Sequence, residues 1–323
     1  MNFGMAEAQE SVTLRLSHPL PVNHYLYVES IQPFTEMVKE KTGGKVQFEV
    51  FPASQLGKDA YATLTSGLAD LSMIIPFYAG DKFPGTSVTE LPNMSTTSCG
   101  ATEKYWELAQ NGGTLAEEEY GPAGLRVLFV NSSVPYPLMN SKKQVAVPQD
   151  AEGLKVWAPG AAMSKAARTV GAVPVNFPAP ELFDSLKRGT IDGAILLLPS
   201  ANQYDLQGEI QYVTEGVSLG TGAWFIGMEQ ERWDKLPQDV RDAIDDAAGA
   251  AQELACEFMD AENKRVRTAW IEERGIEFYQ PTEDQMKVWS ERLETVATQW
   301  VEEMDQNGRA GTKLLEAMTK AGN

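Results

Sequence analysis

The chain has 323 residues but only two histidines, His18 and His24, and that count limits its chemistry at once. No HExxH zinc pair can be assembled, and a histidine-based triad would have to draw on one of these two rings. The spacings GxSxG, CxxC and GxGxxG and the P-loop are absent, so no motif supplies a nucleophile, metal pair or phosphate cradle. Glu181 and Asp192 offer one acid/base pair. Each also has a structural reading: Glu181 follows Pro180 near a helix start, where a carboxylate suits the dipole, and Asp192 sits in a turn where aspartate is ordinary. Absence across so many motifs favours binding over catalysis, with no cofactor and no metal.

The stretch from Gly153 to Gly193 positions these groups and reads as strand, helix, strand, helix. Leu154 to Trp157 is a short apolar run that stops at Pro159-Gly160, and Ala161 to Val170 is small and alanine-rich enough to pack closely on a sheet. Gly171 ends that helix. Val173 to Val175 is a second strand, Ala179 to Arg188 a second helix, and Ala194 to Leu198 a third strand. Such alternation predicts a mainly parallel sheet, whose ligands sit beyond the carboxyl ends of the strands. The loop Trp157 to Ala161 therefore points at function.

Elsewhere the same α/β rhythm holds. Val12 to Ser17 is a first strand, after which Asn23 can cap a helix running to about Thr42, buried along Ile31, Phe34, Met37 and Val38. A strand at Val46 to Val50, a helix near Lys58 to Ser66 and a strand at Leu71 to Ile75 follow. A helix at Thr102 to Ala109 and a strand at Leu125 to Val130 complete a first lobe, and Gly216 to Met228 returns toward it as an apolar strand carrying Trp224. From Gln238 to Arg274 there is no proline, and an apolar stripe includes Ile244, Ala251, Leu254, Phe258 and Trp270. At ~1.5 Å per residue that helix spans roughly 55 Å, longer than one small lobe. Glu283 to Met304 and Thr312 to Ala321 are two more amphipathic helices.

Composition narrows the partners. With 43% apolar residues the chain can bury a large core, and its length favours two lobes. A net charge of −18 argues against nucleic acid and anionic membrane surfaces; it reads as a solvated acidic surface or, more sharply, as attraction for a cationic ligand. No apolar run reaches the ~18 residues of a membrane span. Cys99 and Cys256 are too few for a disulfide framework and are expected as two buried thiols. The opening residues MNFGMAEAQE lack an apolar core, so export cannot be read from them.

Two blocks of residues carry a family resemblance. GLKVWAP, VGAVPV and PELFDSLKRGTIDG resemble the central signature of the TRAP-transporter solute-binding proteins, GLKxRxP followed by LGAxPxxxxxxExYxALQxGxVDG. GKVQFEVFPASQLG and the turn GLAD resemble that family's second block. The resemblance runs from Val12 to about Leu315. It implies a two-lobed periplasmic-binding-protein fold of type II-like α/β architecture, with a long helix, about 238–274, spanning both lobes. Lobe I is then 11–134 plus 222–255, and lobe II 135–221 plus 256–323. It further implies a periplasmic, monomeric protein that captures a small solute in an interlobe cleft by hinge closure and hands it to membrane permease subunits. An enzyme on the same scaffold, with Glu181 or His18 as base, and a solute-binding protein of an ABC importer are the rival readings.

The departures from the pattern bear on the solute. Trp157 stands where most members carry an arginine that forks onto the solute carboxylate, and Ala194 to Pro199 replace the usual QENP with apolar residues. An aromatic face can instead hold an ammonium, worth ~2 kcal/mol when desolvated. Trp157, Phe177, Phe77, Tyr78 and Trp224 are the candidates for such a wall, with His18, Asn23 and Glu181 as polar contacts. The leading expectation is thus an amine, amino alcohol or zwitterion. The alternative is an aromatic or aliphatic acid packed by the same rings, its carboxylate on backbone amides near Gly160 and Ala161.

Overall fold

The computed structural model describes residues 11–322. Its strands are β1 (Val12–Ser17), β2 (Val46–Phe51), β3 (Leu71–Ile74), β4 (Leu125–Ser132), β5 (Leu138–Asn140) and β6 (Lys155–Trp157). They continue as β7 (Val173–Val175), β8 (Gly193–Ile195), β9 (Tyr212–Thr214), β10 (Ala223–Glu229) and β11 (Glu277–Tyr279). The α-helices are α1 (Gln32–Lys41), α2 (Ala60–Thr65), α3 (Ser98–Ala109), α4 (Gly160–Thr169) and α5 (Leu182–Lys187). After them come α6 (Leu198–Gln203), α7 (Gln230–Asp234), α8 (Gln238–Arg274), α9 (Glu283–Gln306) and α10 (Gly311–Lys320).

Two compact units result. The first comprises 11–74, Ala123–Phe129 and Phe225–Ala255; the second comprises Ile75–Pro122, Val130–Trp224 and 256–322. The main difference from the expected division is Ile75–Pro122, expected in the first lobe, which groups with the second unit. Its ties explain this: Trp300 Nε1 donates to Ser87 Oγ at 2.7 Å, and Ser98 Oγ donates to the Ser132 carbonyl. A further tie is covalent, for Cys99 and Cys256 form a disulfide across a Cα separation of 4.8 Å. That corrects the expectation of two thiols. Residues 157 apart in sequence meet because the start of α3 abuts α8, where Asp260 accepts from Ser98 N and Cys99 N, a proximity that spacing alone does not encode.

The first unit is built on a five-stranded sheet in the order β2-β1-β3-β10-β4. β1 pairs in parallel with β2 and β3, while β10 runs antiparallel to β3 with Phe225 opposite Ile74. The aspartate of the GLAD turn is scaffold: Asp70 accepts from Arg15 N and Arg232 Nε, both at 2.8 Å. Burial alone would raise its pKa, but these donors hold it below the ordinary aspartate value.

The second unit holds a six-stranded sheet, β11-β9-β5-β8-β6-β7. β6 is parallel to β7 and β8, whereas β5 is antiparallel to both β8 and β9, so both sheets are mixed where a mainly parallel one was expected. The chain also departs from expectation after Ile195. Leu196 to Leu198 do not extend β8, because Pro199 at the first turn of α6 starts a helix there. Gly216 to Gly222 likewise carry no strand, and β10 begins only at Ala223.

α8 is continuous over 37 residues, as its uninterrupted pattern predicts. Its stripe is shifted by one position in the middle. Ala251, Ala255 and Met259 are buried, while Leu254 is 47% exposed, contrary to its predicted place on the buried face.

Candidate functional site

Register brings one end of the second sheet to a point. Trp157 lies opposite Val175 on one side and Ala194 on the other, so the carboxyl ends of β6, β7 and β8 are level. The chain leaves β6 through Ala158 and Pro159 into α4. Gly160 opens that helix at φ +73°, a left-handed conformation that side chains resist. A Cβ there would stand 3.0 Å from Phe77 Cβ, so the glycine lets the Phe77 segment close onto the first turn of α4. Pro159 supplies no side-chain cap, which leaves the first amides of a ten-residue helix without a side-chain acceptor. Such a turn favours an anion.

Three of the predicted aromatic residues gather here. Trp157 is 3% exposed and its Nε1 donates to the Phe177 carbonyl at 2.9 Å. Phe77 is half-buried and its ring lies 4.2 Å from that of Tyr78, which is 67% exposed. The N–H of Trp157 is therefore committed and its ring is almost wholly covered. An open aromatic cage around a cation does not match that placement. Trp224, in β10, is buried.

Glu181 is exposed in a single 3₁₀ turn, Ala179–Glu181, and Asp192 is spent on the scaffold, accepting from Lys155 N at 2.9 Å. His18 and Asn23 belong to the first unit. Asn23 is exposed and its side chain does not cap the following helix; His24 Nδ1 instead accepts from Leu26 N at 3.2 Å. His18 is 1% exposed and stacks on Tyr27 at 4.7 Å, with neither ring nitrogen hydrogen-bonded among the described residues. Burial pushes its pKa down to about 4, against the smaller opposing pull of the Leu20 main chain, which lies outside hydrogen-bonding geometry. His24 is driven to about 4 by burial and then by His18. Both rings are neutral at pH 7 and unsuited to holding a carboxylate by charge.

Two polar groups of the second unit escaped the sequence reading. Asn131, near the end of β4, is fully buried with both amide atoms unpartnered among the described residues. Its signal was an asparagine interrupting the apolar run of LRVLFVNSS. Glu90 is 2% exposed, and its Oε1 has no hydrogen-bond partner among the described residues. Burial lifts its pKa to about 8, so it is largely protonated at neutral pH. Nothing in the residues around Glu90 in sequence announces burial. No group of three or more His, Cys, Asp or Glu among the described residues could hold a metal ion.

Comparison with known proteins identifies the lineage. The family described as bacterial extracellular solute-binding protein, family 7 (DctP), matches residues 16–304. A TRAP solute-binding protein from Rhodoferax ferrireducens, solved with copurified benzoate, superposes with a TM-score of 0.84 at 26% identity, over 96% of this chain and 97% of that one. A marine metagenome TRAP protein described as specific for aromatic acid ligands, with 3-hydroxybenzoate, has a TM-score of 0.83 at 21% identity, covering 96% and 97%. The C4-dicarboxylate-binding periplasmic protein of Rhodobacter capsulatus is 24% identical over 289 residues, 88% of this chain and 85% of that protein. The match over most of the chain, on a fold shared nearly end to end, makes this protein a member of the DctP family of TRAP solute-binding proteins, which work in the periplasm.

Proposed function

We propose that the protein captures a small carboxylic acid, aromatic in preference to aliphatic, and delivers it as a monomer to the membrane permease subunits of a TRAP transporter. No bond is made or broken in the solute. The observation that carries the reading is the uncapped first turn of α4, opened by Gly160 under Phe77 and flanked by the buried Trp157. Backbone amides there can take the carboxylate that the family arginine would otherwise fork, while Phe77 and Phe177 flank the ring. The dipole alone supplies only ~0.3 to 1 kcal/mol, so direct hydrogen bonds to the charged oxygens, roughly 1.5 to 3 kcal/mol each, must carry most of the affinity. The Rhodoferax relative's benzoate supports the acid over the amine. A cation would face a helix start of the wrong sign.

Gly160→Ala tests this reading. The new Cβ forces a left-handed alanine, costing about 1 to 2 kcal/mol of stability, and pushes Phe77 off the helix start. Acid binding is expected to weaken about tenfold or more. Melting curves with benzoate, mandelate, glucuronate and choline check it: a solute at ~100 times its dissociation constant adds about 2.7 kcal/mol to the folded state. The wild type should gain several degrees with an acid and none with choline, and Gly160→Ala should lose about half of that gain or more at the same concentration. An acid shift undiminished in the variant would contradict the assignment.

A further inference from the structure

We infer that Tyr78 and Tyr204 form the polar far end of the α4 site and select an aromatic acid that carries a hydroxyl on its ring. This rests on the acid reading above and goes beyond it, by naming the substituent and the residues that read it. Both tyrosines belong to the second unit, as do Gly160 and Phe77.

Contact runs without a break from the helix start to the first phenol. Phe77 Cβ and Cγ stand 3.0 and 3.8 Å from the place of a Gly160 Cβ, and the Tyr78 ring lies 4.2 Å from the Phe77 ring, tilted by 59°. The second phenol arrives from the neighbouring strand. β8 lies beside β6 with Ala194 opposite Trp157, and the six residues of α6, about 9 Å of helix, carry the chain from that sheet end to Tyr204.

Both hydroxyls are available to an occupant. Tyr78 is 67% exposed and Tyr204 is half-buried, and neither hydroxyl has a hydrogen-bond partner among the described residues. They are also close to one another. Burial first, and then the charge of an ionised Tyr204, raise the Tyr78 pKa above its ordinary value of 10.0. A phenol that water reaches and burial still perturbs stands in a recess, with the Tyr204 phenol near it. Burial raises Tyr204 as well, so both phenols are neutral at pH 7, and each can donate one hydrogen bond and accept another. A ring hydroxyl also donates and accepts, and so can pair with both. A hydrogen or methyl in its place would leave them unpaired, and a second carboxylate would bring another negative charge to a chain of net −18 with only neutral donors to meet it.

Isothermal titration of benzoate, 3-hydroxybenzoate, 4-hydroxybenzoate and terephthalate tests this on the wild type, Tyr78→Phe, Tyr204→Phe and the double variant. The ratio of dissociation constants within each protein cancels any general effect of a substitution. The wild type should bind at least one hydroxybenzoate about five- to tenfold more tightly than benzoate. Each single substitution should cut that ratio by about half or more, and the double variant should bring it to about one. Each substitution removes a hydroxyl that bonds to no described residue, so the variants keep their folding contacts. A ratio near one in the wild type, a ratio that survives in the double variant, or terephthalate as the tightest ligand would overturn the proposal. The acid reading is scored apart: equal binding of benzoate and both hydroxybenzoates leaves it standing and removes the hydroxyl selection alone, whereas no binding of any acid removes both.

Discussion

Replacing Cys99 and Cys256 together with serine is expected to lower the unfolding free energy of the second unit by about 3 to 5 kcal/mol. The bridge closes a loop of 157 residues, and chain entropy alone assigns a loop of that length roughly 5 kcal/mol, with measured bridges commonly delivering 2 to 4. The fold should survive, because Asp260 still accepts from Ser98 N and Cys99 N and keeps the start of α3 on α8. Urea unfolding of the oxidised protein and the double variant measures the difference as a fall in midpoint at constant slope. An unchanged midpoint would mean that the bridge contributes nothing to the folded state. A structural disulfide also suits the oxidising periplasm, where the DctP family works.

The disulfide marks where sequence reading stops. Local pattern carries α8, whose 37 residues lack proline and keep a helical stripe, and it carries the strand, turn and helix around Trp157 and Gly160. It fails where tertiary contact decides. Three-residue strands such as β5, β9 and β11 are too short to show a period, and the run after Gly193 looks like strand until Pro199 turns it into helix. Leu254 illustrates the same limit within a helix: periodicity predicts a buried face, but which residue of that face meets a neighbour depends on the partner. At the site, Trp157 was legible as a departure from the family pattern. Its role was not, since a buried indole bonded to the Phe177 carbonyl differs from an open cage only in three dimensions. Asn131 and Glu90 were missed for the complementary reason, that burial without a partner leaves no mark in the surrounding sequence.

Glu90→Gln is expected to stabilise the second unit at pH 8 by about 2 to 4 kcal/mol. The carboxyl is buried, and burial raises its pKa from the ordinary value near 4.5 to about 8. Between those values the folded state keeps a proton that the unfolded state has lost, so stability falls as pH rises through this window, by up to about 1.4 kcal/mol per unit. Glutamine has the shape of the neutral acid and nothing to ionise. The variant should match the wild type near pH 4.5 and pull ahead as pH rises. Glu119 and the phenols of Tyr105 and Tyr120 are also raised by burial, so none of these neighbours offers Glu90 a positive charge. The two histidines act in the opposite direction. Their folded pKa of about 4 lies below the unfolded 6.5, so their stabilising contribution is complete above pH 6.5 and lost as pH falls through that window. Glu90 and Glu119 of the second unit both lose stability as pH rises, so Glu90→Gln should make that unit's decline with pH shallower. Chemical unfolding across pH 4.5 to 8.5 measures both curves, and parallel curves for the two proteins would contradict the burial of a protonated Glu90.

The central claim is that the solute is a carboxylic acid, and isothermal titration of the wild-type protein tests it most directly. Benzoate, mandelate and glucuronate are titrated in turn at pH 7, followed by choline and tetramethylammonium under the same conditions. Saturable binding of at least one acid is expected, with a dissociation constant below about 0.1 mM, corresponding to roughly −5.5 kcal/mol, and no heat of binding from either cation. Saturable binding of a cation, with none of the acids bound, would contradict it.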